Sequence, residues 1–85
     1  MNEFAIVFDV LLTTPQDVFD FAGVANQIPR DVSVDAIHGN YQVEARSVMG
    51  LLSLNLSEII TVKIVGQGEA SADYRELFTK WIVGE

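Results

Sequence analysis

The chain has 85 residues, of which 49% are hydrophobic and 20% charged, a balance that suits residues 1–85 as a single small domain with a packed core and excludes a disordered tail. Twelve acidic against five basic residues give a net charge of −7, and no Lys or Arg precedes Arg30, so the basic stripe that a nucleic-acid or anionic-membrane binder needs is missing. The absence of cysteine excludes disulfide frameworks, thiolate zinc sites and Cys nucleophiles, and a single histidine leaves a His-rich metal site or a Ser-His-Asp triad without its parts.

The first ten residues, MNEFAIVFDV, carry acids where a signal peptide carries Lys or Arg, and no apolar run approaches the ~20 residues of a membrane span. The expectation is a soluble cytoplasmic protein with neither metal nor cofactor. Phe4, Ile6, Phe8 and Val10 recur at every second position and predict a half-buried strand. Thr13-Thr14-Pro15-Gln16-Asp17 has the chemistry of a helix start: Thr14 caps, Pro15 suits the first turn, and Asp17 faces the positive end of the helix dipole. Val18, Phe21, Ala22, Ala25 and Ile28 then follow at helical spacing, and Pro29 is expected to end the helix.

Val32, Val34 and Ala36 alternate again, and His38-Gly39-Asn40 signals a turn into Tyr41, Val43 and Ala45, so a hairpin is predicted here. Ser47 precedes the apolar stretch VMGLLSL and is read as the cap of a short helix. In the next strand Ile60, Val62 and Ile64 share one face, and Gly66-Gln67-Gly68 is expected to break it. A last helix is predicted from about Ser71 to Val83, with Tyr74, Leu77, Phe78 and Trp81 inward, Glu76 and Lys80 paired at i,i+4, and Glu69, Asp73 and Glu76 on its solvated side. The order β-α-β-β-α-β-α predicts an α+β two-layer sandwich, with helices over one sheet face.

The segment Gly39 to Leu54, GNYQVEARSVMGLLSL, resembles the regulatory-serine region of HPr, the small phosphocarrier of the bacterial sugar phosphotransferase system. Gly39, Val43, Glu44, Ala45, Arg46, Ser47, Val48, Met49, Gly50, Leu51, Leu52, Ser53 and Leu54 follow the family pattern in order, and the length and element order agree as well. The resemblance implies an open-faced β-sandwich: a four-stranded antiparallel sheet in the order 1-4-2-3, covered on one face by three helices.

Function departs from the pattern. The family carries its phosphoryl group on a histidine in a Gly-Leu-His-x-Arg-Pro stretch; anchored on Pro15, the histidine's place falls on Leu12 and the arginine's on Thr14. Leucine offers no nitrogen nucleophile, and threonine offers no bidentate partner for a phosphate. The first helix, basic in the family, here presents Gln16, Asp17, Asp20, Asn26 and Gln27, which weakens docking to the usual acidic partners. The stretch between Ser53 and Glu58 is also shorter than the family's Gly-containing loop.

The resemblance therefore implies a regulatory module and not an enzyme, similar to the catabolite-repression HPr-like proteins that also lack the histidine. Ser47 is the implied phosphorylation site for an HPr-type serine kinase, with Arg46 adding charge compensation. Val48, Met49 and Leu52 match the exposed docking patch, with Arg46 as a further partner-docking residue, while Leu51 and Leu54 face inward. A transcription regulator and other phosphotransferase proteins are the further implied partners, although the regulator also uses the arginine that is Thr14 here.

Other readings stand beside this one. The chain is alternatively a phosphocarrier charged by enzyme I, through His38 or through an acyl phosphate on Asp17 or Asp20, or a repurposed HPr fold with another partner. The plainer readings are a cap for Ser47, core for the apolar residues of the short helix, and surface for His38, Asp17 and Asp20.

Overall fold

The computed structural model describes residues 3–68 and 74–84. Its elements run β1 (Glu3–Val10), α1 (Pro15–Ala25), β2 (Ser33–His38), β3 (Tyr41–Glu44), α2 (Val48–Leu52), β4 (Ile60–Gln67) and a C-terminal 3-10 helix (Tyr74–Trp81). The sheet order is β1-β4-β2-β3, with every neighbouring pair antiparallel. This is the α+β open-faced architecture expected, with the helices on one side and the other sheet face left open.

Strand alternation builds the inward face in cross-strand rows. Ile6, Ile64 and Val34 lie in one row, and Phe8, Val62, Ala36 and Val43 in the next. Val10 registers with Ile60 at the end of the sheet nearest the start of α1. On the open face Val7, Lys63, Asp35 and Glu44 share a row, so charge and short apolar side chains meet solvent together.

On the covered side, α1 buries Val18, Phe21, Ala22 and Ala25 against the sheet. Phe78 stands between β1 and α1, with its ring centroid 5.6 Å from that of Phe8 and 4.9 Å from that of Phe21. Trp81 closes the cluster edge-on to Phe21 at 5.4 Å. The chain leaving the C-terminal helix bonds back to the end of β1, through Leu11 N–H to the Trp81 carbonyl and Val83 N–H to the Asp9 carbonyl, both at 3.0 Å.

Five expectations are corrected. α1 ends at Ala25 with Asn26 as its C-cap, before Pro29; the Asn26 side chain donates to the Ala22 carbonyl at 2.8 Å and terminates the helix early. β4 continues through Gly66 to Gln67, because the ring of Phe4 lies across Gly66 where a Cβ would come within 2.6 Å of it. That glycine makes room for a neighbour and does not break the strand.

The C-terminal helix has 3-10 geometry over Tyr74–Trp81, and the predicted residues Ser71 to Asp73, with Glu69, lie outside the described ones. Tighter winding eclipses residues three apart and takes i and i+4 off a common face. Leu77 is consequently exposed, and Glu76 and Lys80 form no ion pair; Lys80 lies over the Trp81 ring instead, 5.5 Å from its centroid. At the β2–β3 hairpin, Gly39 has φ +59°, the left-handed conformation that a glycine-first two-residue turn requires.

Candidate functional site

The start of α1 closes on itself. Thr14 is the N-cap, and its hydroxyl accepts from the Asp17 N–H at 3.1 Å. Asp17 Oδ2 accepts in return from Thr13 N–H at 3.1 Å, Thr13 Oγ1 at 3.0 Å and Thr14 N–H at 3.3 Å. The other carboxylate oxygen, Oδ1, accepts from the indole N–H of Trp81 at 3.2 Å, which pins the C-terminal helix to the first turn of α1.

The carboxylate is thus the anion that satisfies the donors at this helix end, and both of its oxygens are engaged. Its neighbour Asp20 accepts from Gln16 Nε2 at 2.9 Å. Leu12, just before this cap, is a buried core residue.

Hydrogen bonding from Trp81 first, and then from Thr13 and Thr14, holds the Asp17 carboxyl below its ordinary value of 3.8. A carboxyl depressed in the folded state adds stability that is present above its unfolded value and is lost as pH falls through the folded one. Asp17→Asn is therefore expected to melt at a lower temperature than the native chain at neutral pH. The gap should close as pH falls below 3.8, and thermal melts across that range check it.

α2 starts from a serine cap. Ser47 Oγ accepts from the Gly50 N–H at 3.0 Å, and Gly50 gives that hydroxyl room, since a Cβ there would lie 3.3 Å from it. Behind the cap, Leu51 is fully buried and Leu54 nearly so. Outward, Met49 is 83% and Leu52 51% exposed, three residues apart and hence on one helix face. Val48 is half-buried and packs against the core.

Leu52 also lines a cleft of about 270 Å³, together with Leu12, Thr13, Thr14, Pro15, Leu56 and Ser57. The fold thus brings Leu12, Thr14 and Leu52 into one place, where the α2 face meets the start of α1. Leu56 joins them from the loop after α2, and no local sequence signal marks it for this role.

Arg46 sits elsewhere. Its side chain is 7% exposed, and Nη2 donates to the carbonyls of Ile28 at 3.1 Å, Pro29 at 2.9 Å and Val32 at 2.8 Å. Nη1 lies 3.6 Å from the Glu44 carboxylate, and Nε is buried without a hydrogen-bond partner. The guanidinium clips the α1–β2 connection to the β3–α2 connection, and Asn26 Nδ2 adds a bond to the Arg46 carbonyl at 3.2 Å. The sequence reading of this residue as charge compensation for Ser47 and as a partner-docking residue missed that structural use, and a side chain so buried on backbone carbonyls offers little to a partner.

His38 ends β2 and its Nε2 lies 2.6 Å from Glu58 Oε1, so it is a partnered residue and not a freely solvated one. Among the described residues, no group of three His, Cys, Asp or Glu side chains is arranged to hold a metal ion, and no helix is long and apolar enough to cross a membrane.

No family model and no curated protein sequence matches the chain. Among solved structures, the chain is similar to the crystal structure of HPr-C-His from Thermoanaerobacter tengcongensis, with a TM-score of 0.59 and 22% identity over 94% of this chain and 89% of that one. The strand order, the three helices on one face and this likeness together give the chain an HPr-like fold.

Proposed function

We propose that residues 1–85 form one HPr-like domain that acts as a regulatory or interaction module of the bacterial sugar phosphotransferase system and does not carry phosphoryl groups. In this reading Ser47 is phosphorylated by an HPr-type serine kinase, and partners read α2 through Met49 and Leu52, with Val48 at the edge of the patch. The observation that carries it is the α2 face itself: two large apolar side chains exposed side by side on a helix capped by a serine hydroxyl. Adjacent exposed apolar side chains suit a surface that a partner covers, and a flexible methionine suits more than one partner.

The self-satisfied start of α1 supports the same conclusion from the other side. With Leu12 buried and both Asp17 oxygens accepting internal hydrogen bonds, that end of the helix presents no nitrogen nucleophile, and the Asp17 carboxylate is already engaged. Arg46 has a positioning role here. By fixing the β3–α2 connection to the α1–β2 connection, it sets where Ser47 and the α2 face stand relative to α1.

Met49→Asp tests the docking face. An exposed substitution changes stability by about 0.5 kcal/mol or less, so the melting temperature should hold while the kinase KM for the chain rises at least about tenfold, or ~1.4 kcal/mol. A variant phosphorylated as readily as the native chain would remove α2 from the docking surface. In parallel, enzyme I and phosphoenolpyruvate should leave the chain unlabelled; acid-labile, base-stable label would restore the phosphocarrier reading.

A further inference from the structure

We propose that the outer edge of β1 takes up an extended peptide as an added antiparallel strand, the peptide being apolar at its centre and basic at its ends. β1 is an edge strand of eight residues, and Phe4 to Phe8, between Glu3 and Asp9, are all apolar. Edge strands are ordinarily blunted by Lys, Pro, a bulge or shortness. The opposite edge, β3, is short, with four residues. β1 carries neither Lys nor Pro, and it pairs with β4 in unbroken register from Glu3 to Val10.

The chain already shows what this edge accepts. Its own C-terminal residues meet the end of β1 in an antiparallel bridge, Val10 opposite Ile82. Val83 N–H donates to the Asp9 carbonyl and Leu11 N–H to the Trp81 carbonyl, so these groups of Asp9 and Leu11 face away from β4. Strand alternation turns the N–H and C=O of Ala5 and Val7 the same way. Gly84 has φ +83°, outside the extended range, and the pairing stops with that one bridge. Among the described residues no backbone group bonds to Ala5 or Val7 from that side, and Val7 is 58% exposed.

An alternating row of free donors and acceptors is satisfied by another extended backbone, which sets the chemistry of the occupant. The side chains set its sequence. Phe4 and Ile6, on the helix side, are only half-buried, and apolar residues opposite them extend that covered side. On the open face Glu3 and Asp9 bracket Ala5 and Val7, and Asp9 accepts from the neutral Thr61 hydroxyl at 2.9 Å. Basic residues at the two ends of the peptide therefore meet a carboxylate each. Lys63 stands behind Val7 on β4, two strand spacings or about 10 Å from the added strand, where salt screens it.

The probe is the capped peptide Lys-Val-Thr-Val-Lys. In antiparallel register it sets Thr opposite Ala5, Val opposite Ile6 and Phe4, and Lys opposite Val7 and Glu3. Titrated into the full chain up to millimolar peptide, it should slow amide exchange at Ala5 and Val7 at least about tenfold and leave the α2 amides unchanged. Val7→Pro removes an N–H that faces away from β4, so the sheet keeps its own bonds, while the peptide Kd should rise at least about tenfold. The same peptide N-methylated on Thr breaks the bond to the Ala5 carbonyl without altering the protein, and it should lose binding to the same degree.

Unchanged exchange at Ala5 and Val7 with the peptide present overturns the proposal. So does an N-methylated peptide that binds as tightly as its parent, since the contact is then no backbone ladder. Protection of Ala5 and Val7 that grows with chain concentration in the absence of peptide assigns the edge to a second copy and overturns it as well. None of these results touches Ser47 or the α2 face, so the proposal stands or falls apart from the functional reading above.

Discussion

Phe78→Ala is expected to destabilise the chain by about 3–5 kcal/mol, the range for removing a fully buried aromatic side chain. Phe78 touches three ring systems at once, those of Phe8, Phe21 and Trp81, and it is the residue that couples β1 to α1 through the C-terminal helix. Truncation leaves a cavity walled by other aromatic rings, and rings of fixed shape collapse poorly into such a space. In a domain of this size each kcal/mol moves Tm by roughly 4–8 °C, so a fall of about 12–40 °C is expected in a thermal melt. Phe78→Leu keeps most of the volume and should retain most of the stability. A Phe78→Ala variant melting within a few degrees of native would mean that the C-terminal helix contributes little to the core.

Arg46→Ala should cost about 3 kcal/mol, by a different mechanism. The loss is not one of volume. Removing the guanidinium leaves the part-buried carbonyls of Ile28 and Val32 without the charged donor that holds them, and releases the α1–β2 connection from the β3–α2 connection. Arg46→Lys keeps the charge but replaces a planar fork with a single point, so it cannot reproduce the spread of Nη2 over three carbonyls together with the Nη1 contact to Glu44. Lysine should fall between alanine and arginine in chemical denaturation. If all three forms unfold at the same denaturant concentration, the clip is dispensable.

The positioning role of Arg46 makes the same variant informative about function. If the clip sets the placement of α2, Arg46→Ala should also slow phosphorylation of Ser47 under conditions where the variant remains folded. Met49→Asp, in contrast, should act on docking with stability unchanged. The two variants separate a surface that is read from the scaffold that presents it.

How far the sequence revealed this architecture depends on the range of each interaction. The period-2 runs at Phe4 to Val10 and Val32 to Ala36 and the helical spacing from Val18 to Ile28 are local patterns, and the buried faces follow them closely. The caps at Thr14 and Ser47 were legible for the same reason, since each bond spans three residues. The strand order came only with the resemblance to HPr, because no alternation says which strand lies beside which.

What the sequence hid is long-range. The indole of Trp81 reaches Asp17 across 64 positions, and Arg46 reaches Ile28 across 18. Neither side chain differs in local context from one placed simply in the core or on the surface. Gly66 misled because a glycine that admits a neighbouring ring has the same local signature as one that ends a strand. The C-terminal helix misled through its winding: a 3-10 helix keeps Phe78 and Trp81, three apart, on the buried side and turns Leu77 outward.

At the candidate site Met49 and Leu52 are exposed on one face of α2 and Ser47 caps it, so phosphorylation of Ser47 is the step that separates a regulatory module from a structural helix. Intact-mass spectrometry after incubation with an HPr-type serine kinase and ATP, on the native chain and on Ser47→Ala, addresses that step directly. One phosphoryl group on the native chain and none on the variant is the predicted result. No gain on either chain, with the same kinase active on ordinary HPr, would contradict the regulatory reading and leave α2 a capped structural helix in a repurposed HPr-like fold.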